Sequence, residues 1–319
     1  MKVDSFDLEI LNQLDLDARQ SYSQIGKVIR RSKQFVGNRI KTLQEKKILL
    51  GYNLDINLRQ IGYTIFSLFI QFRGLDKIKE EKIMTYLRNS KNVGFCIKTL
   101  GTWDLFISVR AENIADFYNF LESFHKFCTN SIKKESINLE VKGTSTNLKI
   151  LDKNGKLEKC ISKTTGVQEK SELNELETKI FRELKSQPLI SYLNLAKKYN
   201  KSYETIKNTI RKIKEKKIIK TTRAIIDTEK LGYNRYLFLI ELSLSSKNKI
   251  EEIQNYLVNH KNIDYVIESL GSWNLICNVY SKDTTELISI IDNLKERFSV
   301  IQSIEFLKVI KNEKESFNI

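Results

Sequence analysis

Each residue n of this chain aligns with residue n + 170 without a gap from residue 3 to the end of the fold, which constrains the architecture before any motif is weighed. Ser21-Tyr22 returns as Ser191-Tyr192, and Glu45-Lys46-Lys47-Ile48 as Glu215-Lys216-Lys217-Ile218. Gly62-Tyr63 returns as Gly232-Tyr233, and Leu100-Gly101-x-Trp103-x-Leu105 as Leu270-Gly271-x-Trp273-x-Leu275. So long a period means duplicated domains, not a solenoid of short stacked units.

Each half opens with helical periodicity and then changes to strand-like alternation. Residues 4–17, 21–29 and 32–47 read as three short helices, with Asp4 as the first N-cap and Leu8, Leu11 and Leu14 on one stripe. The repeat supplies the same three at about 174–187, 191–199 and 202–216. Ser32 and Ser202 can cap the third helix of each set. Extended segments follow at Leu49–Ile56 and Ile219–Ile226, which suits a winged or extended helix-turn-helix. From Tyr63 the order becomes β-α-β-β-α-β, with strands at 63–72, 93–100, 105–109 and 131–142 and helices at 76–90 and 113–128. The repeat gives the same order from 233 to 310.

The expected class is therefore α+β, two helix-turn-helix domains alternating with two ferredoxin-like βαββαβ domains. The boundaries are a helix-turn-helix at 1–50, a connecting strand at 51–62 and a ferredoxin-like domain at 63–143. A linker at 144–172, with Asn154-Gly155 as a hairpin turn and Ser162–Gly166 as polar spacer, leads to the second copy. That copy divides into 173–220, 221–232 and 233–312, with a tail at 313–319. Phe66, Leu68, Phe69, Ile70 and Phe72, and likewise Tyr236 to Ile240, are apolar on both faces of their strands. Each sheet must then meet a second layer, and the other sheet of the same chain is the nearest candidate. Pairing within one molecule would make a pseudo-dimer, and pairing between chains a swapped dimer or homo-oligomer.

Charge locates the expected partner. The formal net charge is +15, but it is concentrated: residues 171–230 hold 15 Lys and Arg against 8 Asp and Glu, whereas residues 231–319 hold 10 against 12. In the first half Lys27, Arg30, Arg31, Lys33, Arg39, Lys41, Lys46 and Lys47 cluster against Glu45 alone between residues 27 and 47. Cations gathered on helix-turn-helix segments point to a polyanion, here double-stranded DNA. The 4 cysteines form no C-x-x-C pair and the 2 histidines stand apart, so neither a metal site, a cofactor nor a catalytic centre is expected. No apolar run spans a bilayer and no signal-peptide pattern opens the chain, so a cytoplasmic location without a membrane partner is expected.

If Val36, Ile40 and Leu43 face the core, Lys33, Gln34, Gly37, Asn38 and Lys41 face outward. In the second copy the outward set is Tyr203, Glu204, Lys207, Asn208 and Arg211. Asn38 and Asn208 coincide in the repeat, and an asparagine amide can bond an adenine edge bidentately in the major groove. Lys41 and Arg211 suit phosphate or guanine. Gln34 against Glu204 and Gly37 against Lys207 are different readers at equivalent places, so unlike half-sites are expected. Trp103 and Trp273 read as core or interface aromatics.

Val3-Asp4-x-x-Asp7-x-x-Ile10-Leu11 resembles the opening L-D-x-x-D-x-x-I-L of Lrp/AsnC (feast/famine) regulators, and Leu173-Asn174-x-x-Glu177-x-x-Ile180-Phe181 is a weaker second copy. Asp17-Ala18-Arg19, Ser32, Arg39, Leu43 and Gly51-Tyr52 fall where that family's helix-turn-helix would place them. Gly101-Thr102-Trp103-Asp104 and Gly271-Ser272-Trp273-Asn274 are similar to the family's G-D-x-D turn. The resemblance implies an HTH–RAM–HTH–RAM transcription regulator that binds DNA, with Arg39 among the contacts, and takes an amino-acid effector at those turns. Thr102 and Ser272 replace the turn's first acid and Asn274 its second in the repeat, so a pocket for an ammonium group would carry less charge here. Arg30 and Lys47 stand where the family often has a turn glycine, at a backbone cost of about 1 kcal/mol each. Two alternatives share the pattern. Siroheme decarboxylases have the same domain plan but place a histidine and a tyrosine near the turn, whereas FCIKTLGTWDLF and YVIESLGSWNLI contain no histidine. A protein-interaction module would not need the concentrated charge.

Overall fold

The computed structural model describes residues 3–152, 161–165, 170–243 and 247–315. Its first half runs α1 (Ser5–Leu16), α2 (Tyr22–Ile29), α3 (Lys33–Glu45), β1 (Leu49–Ile56), β2 (Thr64–Phe72), α4 (Lys77–Asn89), β3 (Val93–Leu100), β4 (Leu105–Ala111), α5 (Ile114–Cys128) and β5 (Ile132–Thr146). After β6 (Ile161–Thr165) the order returns as α6 (Glu175–Ser186), α7 (Tyr192–Tyr199), α8 (Tyr203–Glu215) and β7 (Ile219–Ile226). It ends with β8 (Asn234–Leu242), α9 (Lys247–Asn259), β9 (Ile263–Leu270), β10 (Leu275–Ser281), α10 (Thr284–Arg297) and β11 (Ile301–Glu315). These elements form two compact units, and each unit draws on both halves of the sequence.

The helical unit contains Met1–Ile61, Thr146–Ser162 and Glu169–Gly232. Its helices begin where side-chain oxygens satisfy the first free N–H groups: Asp4, Ser21 and Ser32 in one copy, Asn174, Ser191 and Ser202 in the other. Helices α3 and α8 both end in a left-handed residue, Lys47 and Lys217, each followed by an isoleucine whose N–H reaches back to the carbonyl of Leu43 or Ile213. The β1 and β7 strands are not wings on their own domains. They pair antiparallel with one another, from Leu49↔Ile226 to Ile56↔Ile219, and Asn53 faces its own repeat equivalent, Arg223. Such a register is self-complementary and marks a pseudo-twofold axis. Each strand crosses to the other copy: Leu54 of β1 joins the core of Ile180, Phe181, Leu195, Ile206 and Ile213. In return Ala18 donates its N–H to Thr222 O at 2.7 Å.

The second unit contains Gly62–Ser145, Lys163–Gln168 and Tyr233–Ile319. Its strands run β2-β4-β3-β11-β8-β10-β9-β5, and β5 pairs back onto β2, so eight strands close into a ring. Each ferredoxin-like motif supplies four strands, and the two seams are β3–β11 and β9–β5. Equivalent registers join them: Phe95↔Glu315 on one seam and Tyr265↔Ser145 on the other. The doubly apolar strands are thereby explained. Phe66, Leu68 and Ile70 pack under α4 and α5, and Tyr236, Phe238 and Ile240 under α9 and α10, while Phe69, Leu237 and Leu239 point into the ring. The interior also holds Ile97, Trp103, Phe106, Ile267, Trp273, Ile276, Leu307 and Val309. Burying each such side chain contributes about 1.5–3 kcal/mol, and a closed ring leaves none of these eight strands with a free edge for non-native pairing. The sheets meet through their edges as well as their faces, and the partner sheet comes from the same chain.

The segment expected as linker is largely structured. β5 continues past residue 142, and Gly143, Thr144 and Ser145 pair with β9. Leu148, Ile150 and Leu151 are buried around a 3-10 turn beside α1. Of the Ser162–Gly166 stretch expected as polar spacer, residues 162–165 belong to β6 (Ile161–Thr165), next to β5. The Asn154-Gly155 turn lies outside the described residues.

Candidate nucleic-acid interface

In the helical unit the apolar stripes of α3 and α8 face inward: Val36, Ile40 and Leu43 are buried in one, Ile206, Ile210 and Ile213 in the other. The opposite face of α3 exposes Lys33, Gln34, Asn38 and Lys41. That of α8 exposes Tyr203, Glu204, Lys207 and Arg211, with Asn208 half-buried at its border. Exposed Lys27, Arg30, Arg31 and Lys47 flank the first face, and Lys197, Lys198, Lys201, Lys212, Lys214 and Lys217 the second. Arg30 adopts φ 54° at the turn into α3, and its counterpart Asn200 φ 48°. Arg31 lies over the Phe6 ring at 4.4 Å, which holds its charge beside the helix start. Lys41–Glu45, Lys207–Glu204 and Arg211–Glu215 pair at 3.9, 3.7 and 3.6 Å, all with both partners exposed. Solvated pairs of this kind hold their cations weakly and leave them free to exchange for phosphate.

Arg39 is not on this face. Its side chain is 12 % exposed and reaches Asp4 at 2.5 Å and Asp7 at 2.6 Å. Burial works against the guanidinium charge, but the hydrogen bonds and charges of Asp7 and Asp4 outweigh it, and the Arg39 pKa rises. The residue ties α3 to the start of α1. In the second copy Thr209 occupies the Arg39 position, and Lys216 instead meets buried Glu177 at 2.7 Å. Burial opposes that carboxylate, but Lys216 and the Asn174 backbone N–H more than compensate and hold its pKa down.

Further features bring the two faces into one framework and are absent from the sequence reading. Asp15, 1 % exposed, accepts from Arg223 Nε at 2.9 Å and Nη2 at 2.7 Å, and also from the Leu148 N–H at 2.6 Å. Arg19 donates to Pro188 O at 2.7 Å and Ile190 O at 2.6 Å and covers the Tyr192 ring. Both contacts run between the copies. The repeat places Lys185 at Asp15, Asn53 at Arg223 and Leu189 at Arg19. That mismatch was visible in the 170-residue alignment. The Tyr22 ring fills the space above Gly37, 3.4 Å from where a Cβ would stand.

The candidate effector turns lie in the other unit, at the ring seams. Gly101 has φ 148° and Gly271 φ 146°. An added Cβ would come within 2.8 Å of Leu307 in the first case and within 2.6 Å of Ile137 O in the second. Thr102 and Ser272 are exposed, and Ser272 Oγ lies 2.8 Å from Ser136 Oγ across the β9–β5 seam. Asp104 accepts the Phe72 N–H and Asn274 the Leu242 N–H, each at 2.7 Å. The acid-to-amide change therefore preserves the turn's own hydrogen bond. Trp103 and Trp273 are buried within the ring in an edge-to-face pair at 5.8 Å, as expected for core aromatics. Among the described residues no three His, Cys, Asp or Glu are grouped to hold a metal ion, and no helix is long and apolar enough to cross a membrane.

Comparison with known proteins places this arrangement. No family model matches the chain. It is 25% identical over 138 residues to the HTH-type transcriptional regulator LrpC of Bacillus subtilis, covering 42% of this chain and 94% of that protein. It is 29% identical over 140 residues to the regulatory protein AsnC of Haemophilus influenzae, covering 44% of this chain and 93% of that protein. The siroheme decarboxylase NirDL superposes on nearly the whole chain, with a TM-score of 0.64 and 15% identity over 98% of this chain and 93% of that one, and so shares its fold. Each of these two curated relatives matches less than half of this chain, which is about twice their length. The chain is similar to the Lrp/AsnC-type regulators, and its 170-residue internal repeat carries their length twice in tandem.

Proposed function

We propose that this protein is a sequence-specific, double-stranded-DNA-binding transcription regulator that supplies both DNA-reading modules of a dimer from one chain. The observation that carries the reading is the pair of capped recognition helices in one unit. Each is buried on its apolar stripe and exposes amides and cations on the other side. Lys33, Gln34, Asn38 and Lys41 form one reading face and Tyr203, Glu204, Lys207, Asn208 and Arg211 the other. Arg39 contributes only by fixing α3. The curated relatives are named as transcription regulators, which supports the same reading. An electrophoretic mobility shift with genomic fragments tests it: retarded complexes are expected, with log affinity falling by about 0.9 per phosphate contact against log salt. Absence of retardation, or binding indifferent to salt, overturns it.

Regulation by a small molecule such as an amino acid belongs to the same proposal, at Gly101–Asp104 and Gly271–Asn274. The exposed hydroxyls of Thr102 and Ser272 support that placement, and the chain's 2 tryptophans lie in these turns as reporters. Fluorescence titration with the individual amino acids checks it.

The full-length likeness to NirDL favours a second reading, a siroheme-decarboxylase-like enzyme. The residues lend it no support. His125 pairs with Glu135 at 2.7 Å, and His260 accepts the Asn262 N–H at 3.2 Å; neither belongs to the turns. A visible absorbance band from a bound tetrapyrrole would revive that reading.

A further inference from the structure

The two reading faces are not copies of one another, and contacts between the modules hold them in one unit. We propose that the protein recognises an asymmetric operator in a single orientation, reading adenine through Gln34 in one half-site and cytosine through Glu204 in the other. This rests on the DNA-binding reading above.

Gln34 and Glu204 occupy the same exposed position in the first turn of α3 and α8. A glutamine amide both donates and accepts and so matches the N6/N7 edge of adenine. A carboxylate only accepts, which suits the N4 amino group of cytosine. The nearest charge to Glu204 is Lys207 at 3.7 Å, with both partners more than half exposed, so the carboxylate is available to a base. One turn further along, the faces diverge again. Above Gly37 stands the Tyr22 ring, whereas Lys207 projects at the equivalent place. The equivalent tyrosine, Tyr192, is instead engaged by Arg19 and lies 6.1 Å from Tyr203. The first face thus offers an aromatic edge where the second offers a cation.

The framework preserves this difference. Asp15–Arg223 and Arg19 with the Pro188 and Ile190 carbonyls join the copies, and the repeat places different residues, Lys185, Asn53 and Leu189, at the Asp15, Arg223 and Arg19 positions. α3 and α8 are therefore carried by one unit of the same chain.

Selection from a random duplex pool by the full chain tests the inference. The expected consensus has two unlike halves, one containing the adenine and the other the cytosine. Glu204→Gln should convert the cytosine position to adenine, with at least tenfold loss on the original site, and leave the other half unchanged. Gln34→Glu should do the converse. Both residues are exposed, and circular dichroism of each variant confirms that it is folded. A palindromic consensus overturns the inference while leaving DNA binding intact. So does a single substitution that shifts both halves together. Failure to enrich any sequence overturns the DNA-binding reading and this inference with it.

Discussion

Removing the Asp15 carboxylate should loosen the junction between the two helix-turn-helix modules by about 3 kcal/mol. Breaking a buried ion pair from one side costs about 3–5 kcal/mol, most of it from the charge left behind. In Asp15→Ala the stranded group is Arg223, which keeps its bond to Thr146 O at 2.9 Å and is 21 % exposed. Access to water places the cost at the low end of that range. The Leu148 N–H also loses its acceptor, a further penalty of about 1 kcal/mol if water does not replace it. Arg223→Ala should cost at least as much, because the group it strands is almost fully enclosed. Asp15→Asn keeps one acceptor oxygen and should cost less than either. Hydrogen exchange at the paired β1 and β7 amides reads the effect locally, and 3 kcal/mol corresponds to roughly 150-fold faster exchange. The double variant Asp15→Ala/Arg223→Ala should fall short of additivity by more than about 1 kcal/mol. Exchange within threefold of wild type, or strictly additive variants, would refute the reasoning.

Other perturbations separate the roles assigned here. Gly271→Ala should destabilise the ring more than Gly101→Ala, because its added methyl meets the Ile137 carbonyl at 2.6 Å and not the movable end of Leu307; thermal unfolding ranks the two. Lys47→Gly and Lys217→Gly relieve left-handed residues at φ 54° and 56° and should each stabilise by about 0.5 kcal/mol, read from urea midpoints. Burial pushes the Lys314 ammonium down to about 8 from its ordinary 10.5, so the unfolded chain binds the extra proton between those values. That contribution to stability should therefore rise with pH across that window, and Lys314→Met should flatten it in urea titrations from pH 7 to 10. Arg39→Gln should lower stability and DNA affinity together, whereas Lys41→Gln should lower affinity and its salt dependence with stability unchanged.

How much was legible in the residues depended on the range of the interaction. Helix starts at Ser32 and Ser202 follow from local capping, and the strands follow from alternation, so both could be read from a few neighbours. Apolar residues on both sides of β2 and β8 announced a second layer, but nothing local says which strand edges meet. The seams depend on pairing between residues about 120 to 220 positions apart. Arg39 was misplaced for a related reason. It follows Val36 by three residues and so flanks the buried stripe, and its partners Asp4 and Asp7 lie on another helix. An acid pair at spacing three, with a lone arginine opposite in one copy and neither complete in the other, was the available signal.

Ring closure also bears on how the chain is made. β3 can complete its pairing only with β11, the last strand described, and β5 needs β9. During synthesis from the N-terminus, the first ferredoxin-like motif emerges with both outer edges open and its inner apolar face uncovered. It must wait for some 170 further residues before its own chain can cover them. On a crowded message the motif of a neighbouring nascent chain reaches the same stage at the same time and offers the same edges. Until β11 has emerged, closure within one chain therefore competes with pairing between neighbouring nascent chains.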